Sequence, residues 1–260
     1  MQKVLYLLTL LLITVYTYAD VSPVVINRLT NNEGLSNSSV NVIYQDSNNL
    51  MWFGTWDGLN LYNSREFKTF KPNPNVPGNI TNNIIRDIIE TTKGRLWITT
   101  DNGINLYTPE AMRFQSFFYD NKENSIFKER SFLICKNSHN KVIASVYNTG
   151  LYYFDEELSD FILIRNLKET SLKKLFFDKD DNLWLFTDNN SLYRVNLDWS
   201  KNKPDIKDIK PVILSQSSHD VFYNLYTNQI WEQNENRHIN IYDVPTETKI
   251  TEIPFSKVIS

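Results

Sequence analysis

Six tryptophans stand in this chain, and Trp56 is placed where it could meet a ligand rather than a core. It lies in a tight turn with Asp57, and the corresponding turns further along hold Asp101 with Asn102, then Tyr147, then Asp188. An exposed aromatic ring offers a flat apolar face to a sugar, and polar neighbours can orient the hydroxyls. Trp56, Asp57, Asp101, Asn102 and Asp188 are therefore candidate contacts of a sugar-binding rim. The same residues have a plain structural reading, because Asp and Asn stabilise tight turns through side-chain hydrogen bonds. Both readings stand on sequence alone.

Other chemistry finds less support. Glycoside hydrolysis needs two carboxylates facing each other across a substrate, and nothing in the sequence pairs any two of the acidic residues in that way. His139, His219 and His238 have no metal-ligand spacing, and no serine sits in a nucleophile-elbow pattern. Residues 178–182, DKDDN, resemble the start of a calcium loop, but Leu183 stands where the turn glycine belongs and no bidentate Glu follows. That segment reads as a hairpin turn. No cofactor and no metal are expected, and the chain is expected not to be an enzyme.

The elements that must position these residues are announced by a repeated phrase. Residues 51–63 read MWFGTWDGLNLYN and residues 96–108 read LWITTDNGINLYT. Trp52 and Trp97, Gly58 and Gly103, Asn60 and Asn105, and Tyr62 and Tyr107 are each 45 positions apart. Weaker copies follow at 142–155, with Gly150 in the turn, at 183–196 and at 230–243. The anchors Trp52, Trp97, Ile143, Trp184 and Trp231 are spaced by 45, 46, 41 and 47. The first copy resolves into four short strand-like pieces, 40–45, 51–55, 59–63 and 67–70, the first of which alternates imperfectly. Four strands per repeat of this length predict an all-β protein, a β-propeller of four-stranded antiparallel blades. A helical repeat fails, because no segment sustains a 3.6-residue period for three turns.

About five blades are expected, at roughly 35–74, 80–120, 128–166, 171–214 and 219–256, with fourth strands at 66–71, 113–119, 160–165, 210–214 and 249–255. Residues 24–30, VVINRLT, read as a lone outer strand before the first repeat, one half of a closing clasp. The propeller is expected to be incomplete and open, with end blades that expose apolar faces. The anchor tryptophans Trp52, Trp97, Trp184 and Trp231 are expected to pack between blades, whereas Trp56 and Trp199 fall outside that pattern.

Residues 1–19 carry a lysine near the start, an apolar run and small residues before a plausible cleavage point, the pattern of a secretory signal peptide. The remainder, 20–260, is then the propeller region. The formal charge of −3 with no long basic run argues against nucleic acid as a partner. Cys135 is the only cysteine, so no intramolecular disulfide can form, and its apolar surroundings suggest a buried, inert thiol.

Residues 33–40, EGLSNSSV, together with WFGT at 52–55 and GLN at 58–60, resemble the two-component regulator propeller repeat. Over about residues 24–243 the chain is similar to the N-terminal periplasmic sensor part of hybrid two-component system histidine kinases, most specifically in the first two blades. The resemblance implies a periplasmic, carbohydrate-responsive sensor. Full-length relatives carry two propellers, an immunoglobulin-like domain, a membrane helix, a kinase core, a receiver and a DNA-binding domain. This sequence has no apolar span after the signal, and its histidines lack the context of a phosphoacceptor helix, so it reads as a truncated or split sensor. An oligosaccharide, a second copy of the chain or the remainder of the sensor are the partners implied. A secreted propeller enzyme acting on polysaccharide and a stand-alone protein-binding scaffold are the rival readings.

Overall fold

The buried indole of one blade lying against the apolar face of the next organises the molecule. A computed structural model describes residues 28–118, 132–167, 170–201, 203–212 and 218–254. They form five separate four-stranded antiparallel sheets. Blade 1 holds β1 (Val40–Gln45), β2 (Met51–Thr55), β3 (Gly58–Tyr62) and β4 (Phe67–Phe70). Blade 2 holds β5 (Ile85–Glu90), β6 (Leu96–Thr100), β7 (Ile104–Thr108) and β8 (Arg113–Phe117). Blade 3 holds β9 (Phe132–Lys136), β10 (Val142–Val146), β11 (Gly150–Asp155) and β12 (Asp160–Asn166). Blade 4 holds β13 (Leu172–Phe177), β14 (Leu183–Thr187), β15 (Leu192–Asp198) and β16 (Asp205–Val212). Blade 5 holds β17 (Ser218–Asn224), β18 (Gln229–Asn234), β19 (His238–Asp243) and β20 (Thr248–Pro254). Each sheet is a meander in chain order, as the repeat predicts.

Successive blades bury one another. Trp52 and Leu59 of blade 1 meet Ile88, Ile98 and Tyr107 of blade 2. Trp97 meets Phe132, Ile134 and Phe154 of blade 3. Ile143 and Leu151 meet Leu175 and Leu185 of blade 4, and Trp184 meets Val221 and Tyr242 of blade 5. Burying a ring of this size removes roughly 200 Å² from water and stabilises by about 5 kcal/mol. Five blades are thus joined by four cores, and among the described residues no hydrophobic cluster joins blade 5 to blade 1. Trp231 differs from its counterparts for this reason. Trp52, Trp97 and Trp184 are buried, but Trp231 is only partly so, because no described blade packs over that face.

The phrase shared by the first two blades has a polar purpose as well. Asn60 is fully buried; its Oδ1 accepts from the Ser36 amide at 3.0 Å and its Nδ2 donates to Ser36 Oγ at 2.8 Å. Asn105 does the same with Thr81, at 3.1 and 2.9 Å. Each asparagine ties the loop that enters a blade to the third strand. Gly58, at φ 127°, sits in the left-handed region and donates to Asn83 O of blade 2 at 2.7 Å.

Two expectations change, and two others fall wholly or mostly outside the described residues. The signal segment 1–19 and residues 24–27 of the lone strand lie outside the described residues, and residues 28–30 form no strand. Thr30 instead caps the short 3-10 turn Asn31–Glu33, its hydroxyl accepting from Asn32 N while Glu33 reaches back to Thr30 N. The fourth strand of blade 4 begins at Asp205 rather than near 210, and it tolerates Pro211 because it is the outermost edge. Trp199 packs partly buried against the core between blades 3 and 4, so it joins the packing tryptophans.

Candidate functional site at the bulged rim

The inner strands of four blades break their alternation at the same point. Pairing with the second strand skips one residue between Val40 and Val42, Ile85 and Asp87, Leu172 and Lys174, and Ser218 and Asp220. The extra residues are Asn41, Arg86, Lys173 and His219, all polar. A bulge leaves its residue out of the ladder and turns its side chain away from the sheet. All four line one cavity of about 920 Å³ on the concave side of the arc, with Asp87 and Tyr147 among its other walls.

Three of these bulge residues reach the turn between second and third strands of their own blade. Asn41 Oδ1 accepts from Trp56 Nε1 at 3.0 Å, and Asn41 Nδ2 donates to Ile85 O at 2.8 Å. Arg86 donates twice to Asp101, Nε to Oδ1 at 2.5 Å and Nη2 to Oδ2 at 2.9 Å. Lys173 Nζ donates to Asn190 Oδ1 at 2.7 Å. Arg86 also crosses to blade 1, its guanidinium lying 5.2 Å from the centre of the Trp56 ring. Trp56 is therefore held by a hydrogen bond at its nitrogen and by a cation against its ring, yet it remains 46% exposed.

The predicted site residues divide accordingly. Trp56 and Asp101 come together through Arg86. Asp57 lies next to them, bound to Lys71 Nζ at 2.6 Å and Asn83 Nδ2 at 3.2 Å, which hold its carboxyl below the usual carboxylate range. Asn102 donates its amide to Thr100 Oγ1 at 3.1 Å, the turn chemistry that rivals a ligand contact. Asp188 is exposed in blade 4, its amide bonded to Ser171 O at 3.0 Å, just as Trp56 bonds Ser39 O and Asp101 bonds Ile84 O. It shares the turn geometry of the group, but no hydrogen bond or ion pair among the described residues joins its side chain to Trp56. Asn41, Arg86, Lys173 and His219 were not anticipated. Their spacings of 45, 87 and 46 follow the repeat or twice it, and that spacing, with the imperfect alternation of 40–45, is the signal that could have found them.

Asp87 is the one carboxyl of the cavity wall with a strongly altered acidity. Burial pushes its pKa up to about 6, against the opposing pull of the Ile88 amide and the Lys174 charge. Cys135 lies buried nearby, its thiol pushed well above its ordinary range by burial and by Asp87. Among the described residues no group of three or more His, Cys, Asp or Glu side chains is arranged to hold a metal ion.

The sequence profile described as the two component regulator propeller matches residues 34–57 and 79–102. Each match runs from the entering loop through the bulge and second strand to the rim turn. Two segments of the chain are thus similar to the two component regulator propeller repeat. Among solved structures it is similar to the extracellular domain of BT3049 from B. thetaiotaomicron, assigned as a hybrid two component system. That likeness has 21% identity and a TM-score of 0.66, over 87% of this chain and 31% of that one. The corresponding domain of BT4673 from the same organism gives 17% identity and a TM-score of 0.64, over 87% and 32%. An auxiliary nutrient binding protein of B. thetaiotaomicron gives 12% identity and a TM-score of 0.54, over 82% and 56%. At these identities the likeness speaks for the fold. The chain spans about a third of the length of the first two structures. No curated protein matches the sequence. No helix among the described residues is long and apolar enough to cross a membrane.

Proposed function

We propose that this chain is an exported, non-catalytic, sensor-type propeller that binds an oligosaccharide at the bulged rim, in the periplasm. The observation that carries the reading is Trp56, an indole kept half in solvent while Asn41 and Arg86 fix its orientation. A packing tryptophan would be buried, and a turn residue would not need a cation stacked on its ring. A fixed aromatic plate has little entropy left to lose when a sugar ring settles on it. Tyr147, 43% exposed at the corresponding turn of blade 3, places another aromatic ring on the wall of the cavity that Asn41 and Arg86 also line. Support also comes from the two segments that match the regulator propeller repeat and from the fold shared with extracellular domains of assigned two component systems. In such a sensor the ligand acts by favouring one of two arrangements of the extracellular region.

Titration calorimetry of the purified chain against a panel of oligosaccharides tests this reading. A binder should appear, and Trp56→Ala should weaken it by about tenfold, the equivalent of about 1.4 kcal/mol. Saturable binding that Trp56→Ala leaves unchanged would move the site elsewhere. New reducing ends released from any glycan would refute a non-catalytic role.

A further inference from the structure

A second column of side chains lines the cavity beside the bulge residues. In every blade one first-strand residue pairs with the residue two past the anchor: Val42, Asp87, Leu133, Lys174 and Asp220. In the four bulged blades it directly follows the bulge residue, one step further from the rim turn. All five face the same cavity. The fold accepts an aliphatic residue at this position, since Val42 and Leu133 pack partly buried against the cores between blades. Asp87, Lys174 and Asp220 are therefore charges that the blade itself does not require.

Asp87 is the most costly of the three. It is partly buried, and its Oδ1 accepts from the Ile88 amide beside it at 2.8 Å. Among the described residues no side chain donates a hydrogen bond to either of its oxygens. Thr99, opposite it in the ladder, has a buried hydroxyl that makes no hydrogen bond. Burial accordingly raises the Asp87 pKa, against the smaller pull of the Ile88 amide and of Lys174. Lys174 Nζ lies 3.5 Å from Asp220 Oδ2, a loose, half-exposed pair of the kind that contributes little. A carboxyl kept short of partners in a cavity wall, where Val or Leu serves elsewhere, marks a group held for a ligand. Charge then decides the class of that ligand. Arg86, Lys173 and Lys174 are matched by Asp87, Asp220 and the Asp101 bound to Arg86, so the cavity has no net sign with which to select a charged glycan. It offers acceptors and donors together, which suits hydroxyls, since each can both donate and accept.

We infer that the ligand of this cavity is a neutral oligosaccharide, whose hydroxyls donate to the Asp87 carboxylate and accept from the Lys174 ammonium. The inference rests on the reading of the rim as an oligosaccharide site and adds to it the class of sugar and the two side chains that read it. Asp87 gains on binding the hydrogen bonds that the free protein does not give it, and bonds to a charged group are the stronger kind. A glycan bearing carboxylate or sulfate groups meets Asp87 and Asp220 as like charges.

Titration calorimetry of the full chain against neutral, sulfated, uronate-bearing and amino-sugar oligosaccharides tests the inference, with urea titration of the same proteins at pH 7. A neutral glycan should bind best. Asp87→Leu, which installs the residue type of blade 3, should weaken it by about tenfold to a hundredfold while raising the urea midpoint. Asp87→Asn keeps the shape of the side chain and should move both readouts in the same directions, and Lys174→Met should weaken binding by about tenfold. Affinity and stability moving oppositely separates a ligand contact from a structural residue, whose loss lowers both. Neutral-glycan binding that depends on Trp56 but not on Asp87 or Lys174 overturns this inference and leaves the rim reading in place. A preference for sulfated, uronate-bearing or amino-sugar glycans does the same. Only a failure of every oligosaccharide to bind removes both.

Discussion

Changing Thr91 to Asp should stabilise the protein by about 1–2 kcal/mol, because the repeat shows what is missing there. In blade 1 Asp46 closes the first hairpin, accepting from the amides of Asn48 and Leu50 at 2.9 Å each, and its second oxygen accepts from Trp52 Nε1 at 2.8 Å. In blade 4 Asp178 does the same for the amides of Asp180 and Asn182 and for Trp184 Nε1, the last at 2.8 Å. The anchor follows the carboxylate by six residues both times, and Trp97 follows Thr91 by the same six. Thr91 is buried, donates its amide to Arg95 O at 2.9 Å, and lies in extended backbone as a hairpin end should. Its side chain is one atom too short, and Trp97 Nε1 is buried without a hydrogen-bond partner.

A buried donor left unpaired costs about 1–3 kcal/mol, and a hydrogen bond to a charged acceptor contributes about 1.5–3 kcal/mol. Taking the new carboxylate out of water offsets part of that gain, so a net of about 1–2 kcal/mol remains. For a chain of this size that corresponds to a rise in Tm of about 2–4 °C. Calorimetry on four proteins decides the matter: wild type, Thr91→Asp, Trp97→Phe and the double variant. Replacing Trp97 by Phe removes the donor while keeping a ring in the core, so the benefit of Asp should vanish in that background. A gain that persists without the indole nitrogen, or no gain with it, would refute the assigned hydrogen bond.

Gly54→Ala should destabilise by about 1–3 kcal/mol in urea titration, because the added methyl would lie 2.5 Å from Val42 Cγ1 and 2.6 Å from Ile85 Cγ2, with two blades closed on it. Asp87→Asn should raise stability at pH 7 and flatten its pH dependence. A carboxyl whose pKa rises from 3.8 to about 6 on folding holds its proton longer in the native state. Wild-type stability is therefore lost as pH rises from about 4 to about 6, by about 3 kcal/mol in all, and Asn removes that loss. Urea midpoints that fail to separate the two proteins at pH 7 would show that Asp87 is not penalised by burial.

The residues that build blades were legible because the repeat states their requirement several times over. Trp52, Trp97 and Trp184 each face the next blade, so one periodic position reports one environment. Asn60 and Asn105 were visible as a repeated pair, although their hold on the entering loops emerged only with the chain folded. Trp231 belonged to the same column and did not share the same fate, because burial of an anchor is decided by a neighbouring blade, which the local sequence does not contain.

The rim was half legible for a different reason. Trp56 and Asp101 stood out by type, but their connection runs through Arg86, and Arg86 is set by register. One residue slipped out of a ladder moves a side chain from the sheet face to the cavity, and alternation read along a six-residue strand cannot distinguish such a slip from noise. Four blades slip at the same place, which turns an irregularity into a pattern. The bulge residues vary freely among Asn, Arg, Lys and His while the anchors stay aromatic or aliphatic. The blade can therefore keep its core unchanged while the side chains lining the cavity differ. Asn41 and Arg86 do link blades 1 and 2 through polar and cation contacts, yet all four positions lie outside the apolar cores between blades, and on the proposed reading that separation makes the bulges, more than the repeated phrase, the place where specificity would be written.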